Sequence, residues 1–321
     1  MSHTIFADVS KTMEIDCRRF MIPMSNEMFR EDYTGEEEVV LSNEEHYLKG
    51  REVIGEKRIS DSHFMIRRAG IVKRYHIECQ TRPDSSILKR MADYDSRIAI
   101  ENSEIGEDKL TVELPSAGVL YLQSTKNTPD TLEILVKTSS GYAIHKVHVM
   151  KLNNYSVNDI FEKQLYYLIP FHILVYKNKL MVYNKAERKL FQLQKIYEDI
   201  RDRLLWLGRE GILNEYELGT VFDLTREVLE YVTEKYERVK ERLGAVMTGR
   251  VLEYPTKTRF REAIQQGLAE GRAEGRAEGR AEGRAEGERN AYLSLLKDGV
   301  ITIVEAAKRL NMTEEELKAS M

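Results

Sequence analysis

Apolar positions in residues 1 to about 33 recur at mixed three- and four-residue spacings: Ile5, Phe6, Val9 and Met13, then Phe20, Met21, Met24 and Phe29. That spacing predicts helix, and Pro23, which cannot donate a backbone hydrogen bond, is expected to divide it in two. From about Glu38 to Met150 the pattern shortens to β-branched and aromatic runs. Strands are predicted at Val39–Leu41, Arg58–Arg67, Val72–Gln80, Val112–Leu114, Val119–Leu122, Leu132–Lys137 and Ala143–Val149. One amphipathic helix interrupts them, at about Ser85–Glu101, with Ile87, Met91, Tyr94, Ile98 and Ala99 on one face. Pro83-Asp84-Ser85 supplies its turn and N-cap. Residues 1–155 thus read as one mixed α/β domain.

Residues 156–266 read as mostly helical, with long amphipathic stretches at Lys189–Leu207 and Leu224–Leu243. The tetrapeptide Ala-Glu-Gly-Arg then repeats from Ala269 to Arg284, within a low-complexity stretch at 267–288. On a helix each Glu would stand two residues from an Arg and four from another Glu, and each Gly costs about 1 kcal/mol relative to Ala. A weak helix or a solvated tether is the expectation. Residues 289–321 read as short helices with capping boxes at Thr302–Glu305 and Thr313–Glu316, a helix-turn-helix-like arrangement. Glu314, Glu315 and Glu316 would repel DNA phosphate, which argues against a recognition helix there.

The 321 residues are 42% hydrophobic, enough for a sizeable core and against a disordered chain. With 49 Lys+Arg against 53 Asp+Glu, the net charge of −4 excludes coating nucleic acid by bulk charge. Cys17 and Cys79 form no metal or disulfide motif, no apolar run is long enough to span a bilayer, and the charged N-terminal residues exclude a signal-peptide core. The expectation is a soluble, cytoplasmic protein.

The chemistry concentrates in RISDSHFMIRRAGIVKRYHIECQ, Arg58–Gln80. Two strands joined at Ala69-Gly70 pair Arg68 with Ile71 and set Asp61 opposite Glu78; a four-residue loop gives the same register. Alternation puts Phe64, Ile66, Ile71, Tyr75, Ile77 and Cys79 on one face, and Asp61, His63, Arg67, Arg74, His76, Glu78 and Gln80 on the other. Two opposed carboxylates repel unless a cation or shared proton compensates. Either they are solvent-facing edge residues paired with Arg74 or Arg67, or they hold a hard divalent ion such as Mg2+ or Mn2+. The neighbourhood is basic, with Arg67, Arg68, Lys73, Arg74, Arg82, Lys89 and Arg97 close in sequence and Arg90 and Tyr94 one helical turn apart. Carboxylates flanked by cations suit a phosphodiester substrate.

Asp61, sixteen residues, then Glu78-Cys79-Gln80 resembles the Asp…Glu-x-Lys signature of the PD-(D/E)XK nuclease superfamily. The Glu-x-Gln form, the string YHIECQ, the pattern IxxRMxxYDxxIAxE from Ile87 to Glu101, the Glu/Gly/Arg repeat and the closing LLKDGVITIVEAAKRLNMTEEEL resemble its recombination-promoting nuclease and putative transposase branch. The resemblance implies a restriction-endonuclease-like mixed sheet flanked by helices, with a mostly helical C-terminal half. It also implies an Mg2+-dependent DNA endonuclease, Mn2+ being an alternative ion, linked to recombination or mobile-element movement. Asp61, Glu78 and the Cys79 carbonyl would be the metal ligands, Gln80 would occupy the lysine position, and Arg90, Tyr94 and Arg74 would contact the DNA strand. An acidic residue from the first helix often completes such sites. Asp8 is the match, with Glu44 and Glu45 as competitors. Gln80 can orient water but supplies no charge. The alternative is therefore a catalytically weak or inactive transposase descendant that binds DNA or a protein. Cutting both strands with one site per chain would call for a homodimer, for which the helical region offers a surface.

His145 and His148 are three apart on a strand and so point to opposite faces, which excludes a shared metal site. Trp206 is the single tryptophan and lies in the helical half, against a glycosidase platform. No GxxxxGK[ST], GxSxG or GxGxxG occurs, which removes the local signatures of NTPases, α/β-hydrolases and dinucleotide-binding proteins.

Overall fold

Helix α1, Thr4–Asp16, buries Phe6, Val9 and Met13, one apolar residue per turn. It breaks at Cys17 into a 3-10 turn, Arg18–Phe20, before α2, Met21–Phe29. The division expected at Pro23 therefore falls earlier. Pro23 sits in the first turn of α2, where a missing N–H removes no intrahelical bond. The computed structural model describes residues 4–41, 61–248, 291, 295–296, 301–310, 312 and 317, with Thr4, Asp61, Ser62 and Thr248 as backbone. Glu44, Glu45, the Ala-Glu-Gly-Arg repeat and the Thr313–Glu316 box lie outside the described residues.

A six-stranded mixed sheet follows, in the order β1-β2-β3-β6-β8-β7. Its strands are β1 (Glu38–Leu41), β2 (Asp61–Arg68), β3 (Ile71–Gln80), β6 (Ser116–Tyr121), β7 (Thr131–Thr138) and β8 (Gly141–Lys151). The β2–β3 hairpin has the expected register, Asp61 opposite Glu78 and Arg68 opposite Ile71. Its two-residue turn places Ala69 at φ 50° and Gly70 at φ 82°. Both central residues must take positive φ for the turn to match the twist of the strands, which Gly accepts and Ala resists. Ala69→Asn should therefore raise the unfolding free energy by roughly 0.5–1 kcal/mol, readable in urea titrations. An unchanged midpoint would show the turn to be unstrained.

Strands β3, β6 and β8 are parallel neighbours, so the chain between β3 and β6 must cross over. That crossover is α3, Ile87–Glu101, followed by a small ribbon of β4 (Glu104–Ile105) and β5 (Leu110–Thr111). The strand expected at Val112–Leu114 does not form. Pro115 follows it, and a proline removes a ladder donor and restricts the residue before it.

The sheet separates two apolar layers. Phe64, Ile66, Tyr75, Ile77 and Leu120 face α1, α2 and the helical half, while Ala117, Val119, Tyr121 and Val147 pack under Ile87 and Met91 of α3. Ile71 takes the expected side but lies at the hairpin tip, 65% exposed. At Gly118 a Cβ would run into the Met28 sulfur and crowd the Phe29 ring, so a side chain here would have to displace both side chains of α2.

Beyond β8 come α4 (Val157–Glu162), a long 3-10 segment (Tyr166–Lys179), α5 (Leu180–Lys185), α6 (Glu187–Arg209), α7 (Glu215–Thr233) and α8 (Glu237–Thr248). Their apolar faces join the layer under α1 and α2, where Phe6 meets the Tyr231 ring edge-on at 5.7 Å and Arg19 pairs with Glu217. Met1–Val251 form one compact unit and Leu252–Met321 a second. The boundary at residue 155 thus marks a change of secondary structure within one core. In the second unit the Thr302–Glu305 capping box is present and opens the helix Ile303–Arg309. Among the described residues no helix is long and apolar enough to cross a membrane.

His172, in the 3-10 segment, is 2% exposed between the rings of Tyr176 and Tyr197, and burial lowers its pKa from 6.5 to about 4. The unfolded chain takes up this proton first. Stability from this group is therefore complete above the unfolded value and is lost as pH falls from about 6.5 towards 4, by up to ~3 kcal/mol. Urea unfolding at pH 7.5 and 4.5 should show a smaller acid loss for His172→Phe than for the wild type. Equal losses would place the acid sensitivity elsewhere.

Candidate functional site

Alternation on β3 aims His76, Glu78 and Gln80 at α3, and all three are buried. The polar side of the hairpin is thus not open to solvent here, because the crossover helix covers it. Helix α3 starts at Ile87, two residues after the expected Ser85, and its N-cap is Ser86, one residue later than expected. Asp84 closes the turn before it by accepting from the Ser86 N–H (3.1 Å) and from the Ser86 hydroxyl.

Glu78 is 2% exposed. Its Oε1 accepts three hydrogen bonds, from Arg90 Nη2 (2.6 Å), Arg90 Nε (3.1 Å) and the Gln80 amide. Its Oε2 is buried with no hydrogen-bond partner among the described residues. Burial pushes the Glu78 carboxyl above the usual range although Arg90 opposes it. The guanidinium is held from the far side too, by Asp84 Oδ2 (3.0 Å) and the Ser86 hydroxyl (2.6 Å). Burial alone would lower the Arg90 pKa, but pairing with Glu78 and Asp84 raises it. The Ser86 hydroxyl and N–H, with Arg90, bring Asp84 down to about 2.

The register puts the backbone of Asp61 directly across from Glu78. The Gln80 carbonyl accepts from the Leu122 N–H of the β6 side at 2.9 Å, so by strand alternation the Cys79 carbonyl turns towards β2. The Cys79 side chain takes the other face, where burial pushes its thiol up to about 12 beside Ser10 and Glu14.

Asp8 is exposed on α1, and its backbone carbonyl accepts from the Thr12 hydroxyl. The buried carboxylate of that helix is Glu14, bonded to Ser10 and Tyr167. Arg90 and Tyr94 do not act as a pair: Arg90 meets Glu78, whereas Tyr94 lies edge-on to the His76 ring at 5.9 Å. The expected basic surface is largely neutralised. Arg67 pairs with Glu38, Arg68 with Asp32, Lys73 with Glu31 and Arg97 with Asp93, and Arg82 bonds Gln123. Arg74 keeps a buried Nε without a hydrogen-bond partner among the described residues.

Asp95 was not legible as a functional residue, yet it is 1% exposed in the apolar face of α3. Its Oδ1 lies 2.6 Å from His76 Nδ1 and its Oδ2 2.9 Å from His145 Nε2. Burial works to raise its pKa, but the bonds to His145 and His76 prevail and hold it below the usual carboxylate range. One carboxylate thus ties β3 to β8 across β6, above Ala117, which pairs with both His76 and Val147. The clue in the sequence was a carboxylate four residues after Met91, on the buried stripe. His145 and His148 do point apart, the latter meeting the Phe29 ring of α2 at 5.6 Å.

Among the described residues no three His, Cys, Asp or Glu side chains converge on a metal position. The unpartnered Glu78 Oε2 is nonetheless an oxygen donor of the kind a hard divalent cation takes, and the neighbouring register position is an aspartate. No family model matches the chain, and no curated protein or solved structure matches it. The fold class stands on the architecture itself: an α/β protein with a six-stranded mixed sheet flanked by helices, followed by a mostly helical region.

Proposed function

We propose that the protein is a Mg2+-dependent DNA endonuclease, Mn2+ serving as an alternative ion. The observation that carries this reading is Glu78: a buried carboxylate opposite Asp61, with one oxygen saturated by Arg90 and Gln80 and the other without a partner. Asp61, Glu78 and the Cys79 carbonyl would hold the cation, which would supply Lewis acidity for hydrolysis of a DNA phosphodiester, water adding to phosphorus as the P–O3′ bond breaks to leave a 5′-phosphate and a 3′-hydroxyl. Gln80 orients water through its amide, and Arg90 brings positive charge to the phosphate. Arg74, with its unpartnered buried Nε, is suited to a phosphate oxygen. The resemblance of the hairpin and helix strings to recombination-promoting nucleases and putative transposases supports a role in recombination or mobile-element movement.

The neutral Gln80 and the ion-paired surface arginines favour a second reading, a catalytically weak descendant that binds DNA or a protein partner. Nicking and linearisation of supercoiled plasmid with Mg2+, Mn2+ or EDTA separates the two. Metal-dependent cutting by the wild type that is lost in Asp61→Ala and Glu78→Gln is expected. A folded wild type that retards DNA without cutting it would replace the endonuclease by the binding protein.

A further inference from the structure

Both donors of one edge of the Arg90 guanidinium and the amide of Gln80 converge on a single oxygen of Glu78. Such convergence fixes the rotation of a carboxylate and decides which oxygen remains for another partner. The guanidinium is itself held, since Asp84 and Ser86 bind its remaining edge from the start of the same helix. Arg90, Gln80, Asp84 and Ser86 thereby leave Glu78 Oε2, buried and without a hydrogen-bond partner among the described residues, as the remaining ligand oxygen. The neighbouring cations of the hairpin, Arg67, Arg68 and Lys73, are committed to other carboxylates.

We propose that Arg90 is a positioning residue of this site: by pinning Glu78 Oε1 it orients Oε2 as a single-oxygen ligand for a divalent cation. The proposal rests on the reading of Glu78 as a metal ligand. An alternative role for the same guanidinium is a competitor that merely occupies the carboxylate. The two differ in sign, because removing a competitor tightens cation binding whereas removing an orienting partner weakens it.

The test is Mn2+ binding to the full chain, followed by the electron paramagnetic resonance signal of free Mn2+, without DNA and without reference to cleavage. Wild type, Glu78→Gln and Arg90→Gln are compared. Loss of an outer partner of a ligand costs roughly 10–100-fold in metal affinity, so Arg90→Gln should bind at least about tenfold more weakly. If Arg90→Gln does not fold, Arg90→Lys carries the test. It keeps the charge but cannot place two N–H groups on one oxygen, so weaker binding is again expected, and unchanged affinity overturns the proposal. Equal or tighter binding by Arg90→Gln overturns the positioning role while leaving the metal site standing. A wild type whose Mn2+ binding is absent, or unchanged in Glu78→Gln, removes the site itself and the proposal with it.

Discussion

Asp95→Ala is expected to lower the unfolding free energy by roughly 2–4 kcal/mol, because two imidazoles lose a buried hydrogen-bond acceptor at once. The carboxylate is 1% exposed and accepts from His76 on β3 and His145 on β8, strands that are not neighbours. Truncation therefore loosens two strands and the crossover helix together. Asp95→Asn should cost less, roughly 1–2 kcal/mol, since an amide still offers an acceptor to one imidazole and a donor to the other. Urea or guanidinium unfolding measures both. A loss below about 1 kcal/mol for Asp95→Ala would mean that water or a local shift replaces the carboxylate, and the cluster would cease to be a structural tie.

Glu78→Gln is expected to reduce metal-dependent cleavage by at least about a thousandfold, the scale of a charge interaction lost in a transition state from a water-poor site. Its effect on stability should be small, within about 1 kcal/mol. Two opposed carboxylates predict, taken alone, that neutralising one relieves repulsion and stabilises the hairpin. Arg90 changes that balance, because it bonds Glu78 at 2.6 Å and would keep Asp84 and Ser86 after the substitution. Burial has also raised the Glu78 pKa, so part of the cost of its charge is offset when the residue becomes neutral. Initial rates of plasmid nicking give the first quantity and thermal unfolding without metal the second. Cleavage that survives in Glu78→Gln would place the chemistry on other residues.

The hairpin shows how far local pattern reaches. The pairing of Asp61 with Glu78, the turn at Ala69-Gly70 and the two side-chain faces follow from the period of a strand and from the turn that closes it. The same reading mistook what the polar face meets. Glu78 and Gln80 are as inaccessible as core residues because α3 lies over them, and a period of two says nothing about what covers a sheet. Arg90 and Tyr94 are neighbours on a helix by spacing, but the strand beneath sorts them onto Glu78 and His76. The basic surface dissolved for a related reason: Glu31, Asp32 and Glu38 lie about forty to thirty residues earlier in sequence and meet these cations only once the sheet is assembled.

What the sequence determined by itself was local: helix and strand periods, the hairpin register, the crossover helix and thus the α/β class. These depend on interactions between residues a few positions apart, which any fold must respect. Only the tertiary structure decided which carboxylates are buried, which oxygen of Glu78 lacks a partner, and that Asp95 joins His76 to His145. Burial and ion pairing depend on segments brought together over long loops, and a charged side chain carries no mark in the chain that tells whether it will face water or another element.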